Sequence, residues 1–281
     1  MIFDDRRCEL GEGPLWHPLR NQLFWFDILS NRLLTRTPQG PLAWTFPRPV
    51  SAAGWLDANR LLIASDVALS VFDLSTGISS PHVELEADNP VTRSNDGRAD
   101  PLGGFWIGTM GKRAEKGAGA IWRLYRGELR RLYGAITIPN AISFLPDGRS
   151  AQFADTVTGQ VLRVALDAEG WPLGQPQVVL DLVKEGLNPD GAVVDADGLT
   201  WLAEWGAARV AAYAPDGSRV RIVAFDAPHT SCPALGPDGT LYCTTAMQDM
   251  DRAARAASPR AGMTLAASVG ARPQGEHRVI L

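Results

Sequence analysis

The sequence predicts an all-β chain folded as a six-bladed β-propeller. Three observations carry that expectation. A turn-and-strand phrase returns six times, its copies lie roughly 40–50 residues apart, and no stretch reads as a long amphipathic helix. The turns are Leu19-Arg20-Asn21, Asp57-Ala58-Asn59, Pro101-Leu102-Gly103, Pro146-Asp147-Gly148, Ala196-Asp197-Gly198 and Pro237-Asp238-Gly239. Each is followed by an apolar, β-rich run: Leu23–Ile28, Leu61–Ser65, Phe105–Thr109, Ala151–Asp155, Thr200–Glu204 and Leu241–Thr245. Further strand-like runs such as Gln160–Leu166 and Gln177–Leu180 fill the periods, as four-stranded blades require.

A propeller must close, because an open end leaves sheet edges exposed. The last period offers one further strand, Thr264–Val269, before Pro273. Ile2–Leu10 precedes the first blade and is expected to supply the last blade's outer strand, with His277–Leu281 as the alternative. Asp249–Ala257, rich in Ala and Arg, reads as a short helix in an excursion from that blade.

With 281 residues, 45% of them hydrophobic, residues 1–281 are expected to form a single domain without an internal linker. The net charge of −4 with mixed signs gives no basic footprint for nucleic acid or an anionic membrane. No apolar run approaches the roughly 20 residues of a membrane span, and Met1–Cys8 lacks the apolar core of a signal peptide. Cys8, Cys232 and Cys243 form no C-x-x-C pair and cannot all be paired. A reduced, cytoplasmic protein, monomeric or weakly oligomeric, is the expectation.

The repeats also serve as a ruler. About seven residues before the middle of each turn stand Glu12, Ser51, Asn95, Asn140, Asp190 and Ser231, all polar. Equivalent positions near the innermost strands of a propeller converge on the central channel at one face. Glu12, Asn140 and Asp190 offer carboxylate and amide oxygens, with no His or Cys in register. That set suits a hard divalent ion such as Ca²⁺, Mg²⁺ or Mn²⁺, with Zn²⁺ or Fe²⁺ also open. The channel is thus expected to bind metal. Asp190 lies in Asn188-Pro189-Asp190-Gly191, read as a polar loop before a short strand, with Trp205 at the same end of the hairpin.

Other acidic and aromatic residues have plainer readings. Asp195-x-Asp197-Gly198 with Glu204 mimics an EF-hand interior, but Val193 occupies its first ligand position, so it reads as a turn. Trp25, Trp106 and Trp201 read as blade core, whereas Trp16 and Trp205 are candidates for a pocket wall. His17, His82, His229 and His277 share no ligand spacing. Cys232, beside Ser231, is placed in the channel without an evident base.

Across essentially its whole length the chain resembles the senescence marker protein (regucalcin)/gluconolactonase family. The resemblance is carried by Leu10-Gly-Glu-Gly-Pro-Leu-Trp16, Arg93-Ser-Asn-Asp-Gly97, Trp106-Ile-Gly-Thr-Met110, Ile138-Pro-Asn-Ala-Ile142 and Pro189-Asp-Gly191, in that order. It implies a six-bladed propeller with one divalent ion that hydrolyses sugar-acid lactones. The implied metal ligands are Glu12, Asn140 and Asp190, and the implied substrate contacts are Arg93 and Asn95. Asp190 is also the implied general base. Where some relatives place an acidic residue after Gly-Thr-Met, this chain has Gly111-Lys112-Arg113, so its substrate cannot be copied from theirs. The competing readings are a non-catalytic calcium-binding regulatory protein and a propeller esterase or phosphotriesterase.

Overall fold

A computed structural model describes residues 1–281. Six four-stranded antiparallel sheets form the six blades. Their innermost strands are Gly11–His17, Val50–Trp55, Thr92–Ala99, Pro139–Phe144, Asn188–Val194 and Thr230–Leu235. Blades 1 to 5 are each built from four strands consecutive in the chain. Blade 6 takes Thr230–Leu235, Thr240–Thr245 and Thr264–Ser268, and borrows Ile2–Asp4 from the N-terminus as its outer strand. Ile2 pairs with Leu265 and Asp4 with Thr264. The N-terminal alternative for closure therefore holds.

Burial follows radial position. The innermost strands of blades 4 and 6 are buried along their whole length, since other strands flank them around the channel. Outer strands such as Arg219–Ala224 are mostly exposed. Between blades the apolar faces interlock: Phe24, Phe26 and Leu33 of blade 1 meet Ile63 and Phe72 of blade 2, and Trp106 and Ile121 of blade 3 meet Phe144 and Phe153 of blade 4. Each such side chain contributes about 1.5–3 kcal/mol when fully buried. Trp25, Trp106 and Trp201 are core residues, as the alternation implies.

One irregularity recurs in all six blades. The innermost strand breaks register with its neighbour between Glu12 and Leu15, Val50 and Ala52, Ser94 and Gly97, Asn140 and Ser143, Pro189 and Ala192, and Thr230 and Pro233. Each break is a β-bulge or similar irregularity, which bends the strand and re-aims a side chain. Every position picked out by the repeat ruler lies in or at the edge of one. This corrects the loop expected at Asn188–Gly191: the segment is strand, and its polarity reflects a bulge facing the channel.

The C-terminus differs from the sequence alternative. Residues 272–281 pair with no outer strand and instead cross the far mouth of the channel. Pro273 bridges to Asp195, Gln274 Nε2 donates to the carbonyls of Phe144 and Val194, and the Val279 N–H donates to Trp55 O at 3.0 Å. Val279 is buried against Gly54, where even a methyl group would collide with it. The expected short helix is present as Arg252–Ala257, with Asp251 capping the Ala254 N–H at 2.8 Å.

Candidate active site

At the near mouth, opposite the C-terminal segment, the channel widens into a cavity of about 450 Å³. Glu12, Arg93, Asn95, Asn140 and Asp190 line it, from blades 1, 3, 4 and 5, and all five are buried. Ser51 and Ser231, the other two ring positions, do not line it. Their hydroxyls are used between blades: Ser51 Oγ donates to Ser94 Oγ at 2.8 Å, and Ser231 Oγ donates to Gly11 O at 2.5 Å. Two of the six ring positions staple blades together, and the other four line the cavity.

The cavity residues form one connected chain of contacts. Arg93 Nη1 donates to Ser94 O at 2.8 Å and to Asn95 Oδ1 at 2.9 Å. Asn95 Nδ2 donates in turn to Asn140 Oδ1 at 2.9 Å and to Pro139 O at 3.0 Å. Asn140 Nδ2 donates to Thr156 Oγ1 at 2.8 Å, and that hydroxyl donates to Pro189 O, also at 2.8 Å. The carbonyl beside Asp190 is thereby tied to the amide on the neighbouring blade. The backbone is tuned locally as well. Ala141, directly after Asn140, is buried at φ +55°, a conformation unfavourable for a residue with Cβ. Gly13, directly after Glu12, has φ +52°, and a Cβ there would lie 2.2 Å from Ser51 O.

Electrostatically the site is unbalanced. Glu12 and Asp190 line the same cavity, and both are held far above the ordinary carboxylate range. Burial is the largest cause for each, and the negative charge of Asp96 adds to it. Burial also lifts Asp96 to about 6, and its Oδ2 accepts from the Ile142 N–H at 2.8 Å. Arg93 is pulled down to about 10 by burial, opposed by Glu12, and stays cationic at neutral pH. Its guanidinium is engaged with Ser94 and Asn95, and it forms no salt bridge with either carboxyl.

Two buried carboxyls that line one cavity, neither in a salt bridge, fit a cation beside them. No trio of His, Cys, Asp or Glu clusters here, so a donor set at this position is two carboxylates completed by the Asn140 amide oxygen. That all-oxygen set suits a hard divalent ion.

The family model described as SMP-30/Gluconolactonase/LRE-like region matches residues 10–247, a span that includes Glu12, Arg93, Asn95, Asn140 and Asp190. The chain belongs to this family. Its relatives carry sugar-lactonase, L-arabinolactonase, 6-deoxy-6-sulfogluconolactonase and pentonolactonase names, and it is a lactonase. A Rhizobium meliloti (strain 1021) protein assigned as a sugar lactone lactonase is 43% identical over 267 residues, covering 93% of this chain and 90% of that one. The L-arabinolactonase of Azospirillum brasilense is 34% identical, covering 93% and 89%. Among solved structures, a calcium-binding regucalcin from Agrobacterium tumefaciens str. C58 superposes with a TM-score of 0.97 at 37% identity, covering 100% of this chain and 97% of that one.

Several residues of this lactonase's site carry no sequence signal that singled them out. Thr156 follows a strand end and reads as an ordinary turn residue, yet it links Asn140 to the strand of Asp190. Asp96 sits within Arg93–Gly97, is buried, and acts on Glu12 and Asp190 through its negative charge. Trp205 lines the cavity and stacks on His229, ring centroids 4.4 Å apart, whereas Trp16 stacks on Tyr242 and lines the far mouth. Lys112 and Arg113 both line the near mouth. The Lys112 ammonium lies 3.3 Å from Asp66 and donates to Pro90 O, while the Arg113 side chain makes no hydrogen bond or ion pair with the protein. Cys232 is packed against Gly191, with its thiol pushed up by burial and its Sγ 3.9 Å from Pro233 O, so it is not poised as a nucleophile. Glu204 is occupied by Arg209 and Tyr213, and Asp195 accepts from the Asp197 and Leu199 N–H groups and from Trp201 Nε1. Both therefore serve the fold, in line with the turn reading.

Proposed function

We propose that this lactonase opens a five- or six-carbon aldonolactone to the free aldonic acid, with one divalent ion held by Glu12, Asn140 and Asp190. The observation that carries this reading is the convergence of two buried, unneutralised carboxyls and an amide oxygen beside Arg93 and Asn95. The names of the relatives, a sugar lactone lactonase and an L-arabinolactonase, point to the same substrate class. The regucalcin name, for a calcium-binding protein, points to a divalent ion.

When bound, the ion supplies Lewis-acid polarisation of a carbonyl and acidifies a water. A cation beside Asp190 also favours its ionised form, reversing the effect of burial. Asp190 then accepts the proton of the attacking water as the new C–O bond forms at the ester carbon. It returns that proton to the ring oxygen as the ester C–O bond breaks, leaving an open hydroxy acid. Arg93, fixed through Nη1 on Ser94 O and Asn95 Oδ1, keeps its Nε and Nη2 donors for substrate oxygens. Asn95, whose amide protons are spent on Pro139 O and Asn140 Oδ1, offers Oδ1 as acceptor to a substrate hydroxyl, and the two orient the ester carbon. A buried polyol without such partners would lose about 1–3 kcal/mol per unpaired hydroxyl.

The test is a panel of aldonolactones followed by proton release, with metal-stripped and metal-restored protein. The expected result is rapid, metal-dependent opening of at least one five- or six-carbon lactone. Fast cleavage of aryl esters or phosphotriesters, with every aldonolactone left at its spontaneous rate, would replace this reading with the esterase one.

A further inference from the structure

The strand that carries Asp190 is clamped at three points. Thr156 Oγ1 holds Pro189 O on one side of the bulge. Gly191 lies against Cys232, where an added Cβ would meet Sγ at 2.2 Å. At the third point, Arg98 Nη2 reaches across the channel to donate to Ala192 O at 3.2 Å. Ala192 is where the register with Leu202 resumes, so its carbonyl marks the end of the bulge. Asp190 and Gly191 lie within the bulge and have no partner across the sheet.

Arg98 is itself held from outside the propeller. It extends from the strand that also bears Arg93 and Asn95, but on the far side of that strand's bulge. Its Nη1 donates to Glu276 Oε1 at 2.7 Å, with side-chain exposures of 11% and 9% for the two residues. Glu276 belongs to the C-terminal segment across the far mouth. Trp55 Nε1 fixes its backbone by donating to Glu276 O at 2.8 Å, and Gln274 and Val279 anchor the segment on either side. A guanidinium fork is rigid and planar, so fixing one arm on Glu276 fixes where the other arm meets Ala192.

We propose that Arg98, oriented by Glu276, is a positioning residue for the active centre: it sets the bulge that aims Asp190, so the C-terminal segment shapes the near-side site from the far mouth. The inference rests on the reading of Asp190 as ligand and base. Arg98 touches neither substrate nor ion and acts through the backbone of Ala192. A Met at this position preserves much of the apolar stem but removes both arms. A Lys keeps the charge for Glu276 but cannot hold both acceptors with a planar fork.

The test uses the full chain as Arg98→Met, Arg98→Lys, Glu276→Gln and, as a control on the same segment, Arg272→Ala, whose side chain pairs with Asp197. Three quantities are read for each: kcat and KM on the best lactone of the panel, the Mn²⁺ dissociation constant by titration calorimetry, and the melting temperature. Removing a group that orients a metal ligand typically costs about 10–100-fold in metal affinity or activity. Arg98→Met is expected to lose kcat and Mn²⁺ affinity in that range with little change in KM. Arg98→Lys should recover part of the loss, Glu276→Gln should show a smaller loss of the same kind, and Arg272→Ala should match wild type. Should Arg98→Met fail to fold, Arg98→Lys and Glu276→Gln carry the same readouts. Variants that melt earlier but keep wild-type kcat and Mn²⁺ affinity would make the pair a mere fastener and overturn the proposal. Wild-type protein that opens no lactone and binds no Mn²⁺ would instead overturn the reading of the site, and the proposal with it.

Discussion

The two mouths of the channel are built from the same six strands and have opposite character. At the far mouth the buried charges are matched: Arg98 meets Glu276, and the C-terminal segment leaves only a cavity of about 160 Å³. At the near mouth Glu12 and Asp190 line about 450 Å³ of open cavity with no salt bridge to either. A buried carboxyl without a counter-charge is costly to the fold. The sheet geometry therefore does not dictate the imbalance. It is confined to one end, where the bulges turn side chains inward, and that end is where chemistry is expected.

The contrast is open to direct attack by mutation. The largest effect should come from Asp190→Ala, which removes both a proposed ligand and the proposed base. A general base alone contributes about 10²–10⁴-fold, so turnover should fall by at least that much, with metal binding lost in the same protein. Arg93→Ala should cost less, about 10–100-fold in kcat/KM for one charge-assisted contact of about 1.5–3 kcal/mol, with metal affinity retained. A steady-state assay paired with calorimetry separates the two variants.

A third expectation concerns pH. In ion-free protein Glu12 is pushed up to about 8 from an ordinary value of 4.5. Between those values the folded state keeps a proton that the unfolded chain has released. More protons on the folded side mean that stability falls as pH rises through this window. Melting curves near about pH 5 and about pH 8 should show that decline, and added Mn²⁺ should flatten it. The smallest effect belongs to Ser51→Ala, which removes a staple between blades and nothing facing the cavity. It should lower stability by about 1 kcal/mol in a denaturant titration and leave kcat unchanged.

Much of this architecture is legible in the sequence because it is written in turns. Pro146-Asp147-Gly148 or Ala196-Asp197-Gly198 places a hairpin within a residue or two, and counting back from it reaches Asn140 and Asp190. The bulges are not legible, since an inserted residue leaves no compositional mark. Asn188–Gly191 consequently reads as loop when it is strand, and Asp96 goes unnoticed beside Asn95. The ruler finds six polar positions but cannot tell Ser231, bonded to Gly11, from Asp190, facing the cavity. That distinction depends on contacts between blades distant in sequence. The C-terminal segment is hidden for a similar reason. Glu276 and Arg98 are far apart in the chain, and Glu276 lies outside the six repeats, so nothing local announces that they meet.

The central claim is that the near-mouth carboxyls and Asn140 hold one divalent ion on which lactone opening depends. The most direct measurement titrates Mn²⁺ into metal-stripped protein and follows bound ion and lactone hydrolysis in the same samples. The account predicts saturation at a single ion per chain, with activity rising in proportion to occupancy and neither response in Asp190→Ala. Full hydrolysis by the stripped protein, or ion binding that leaves the rate unchanged, would contradict it.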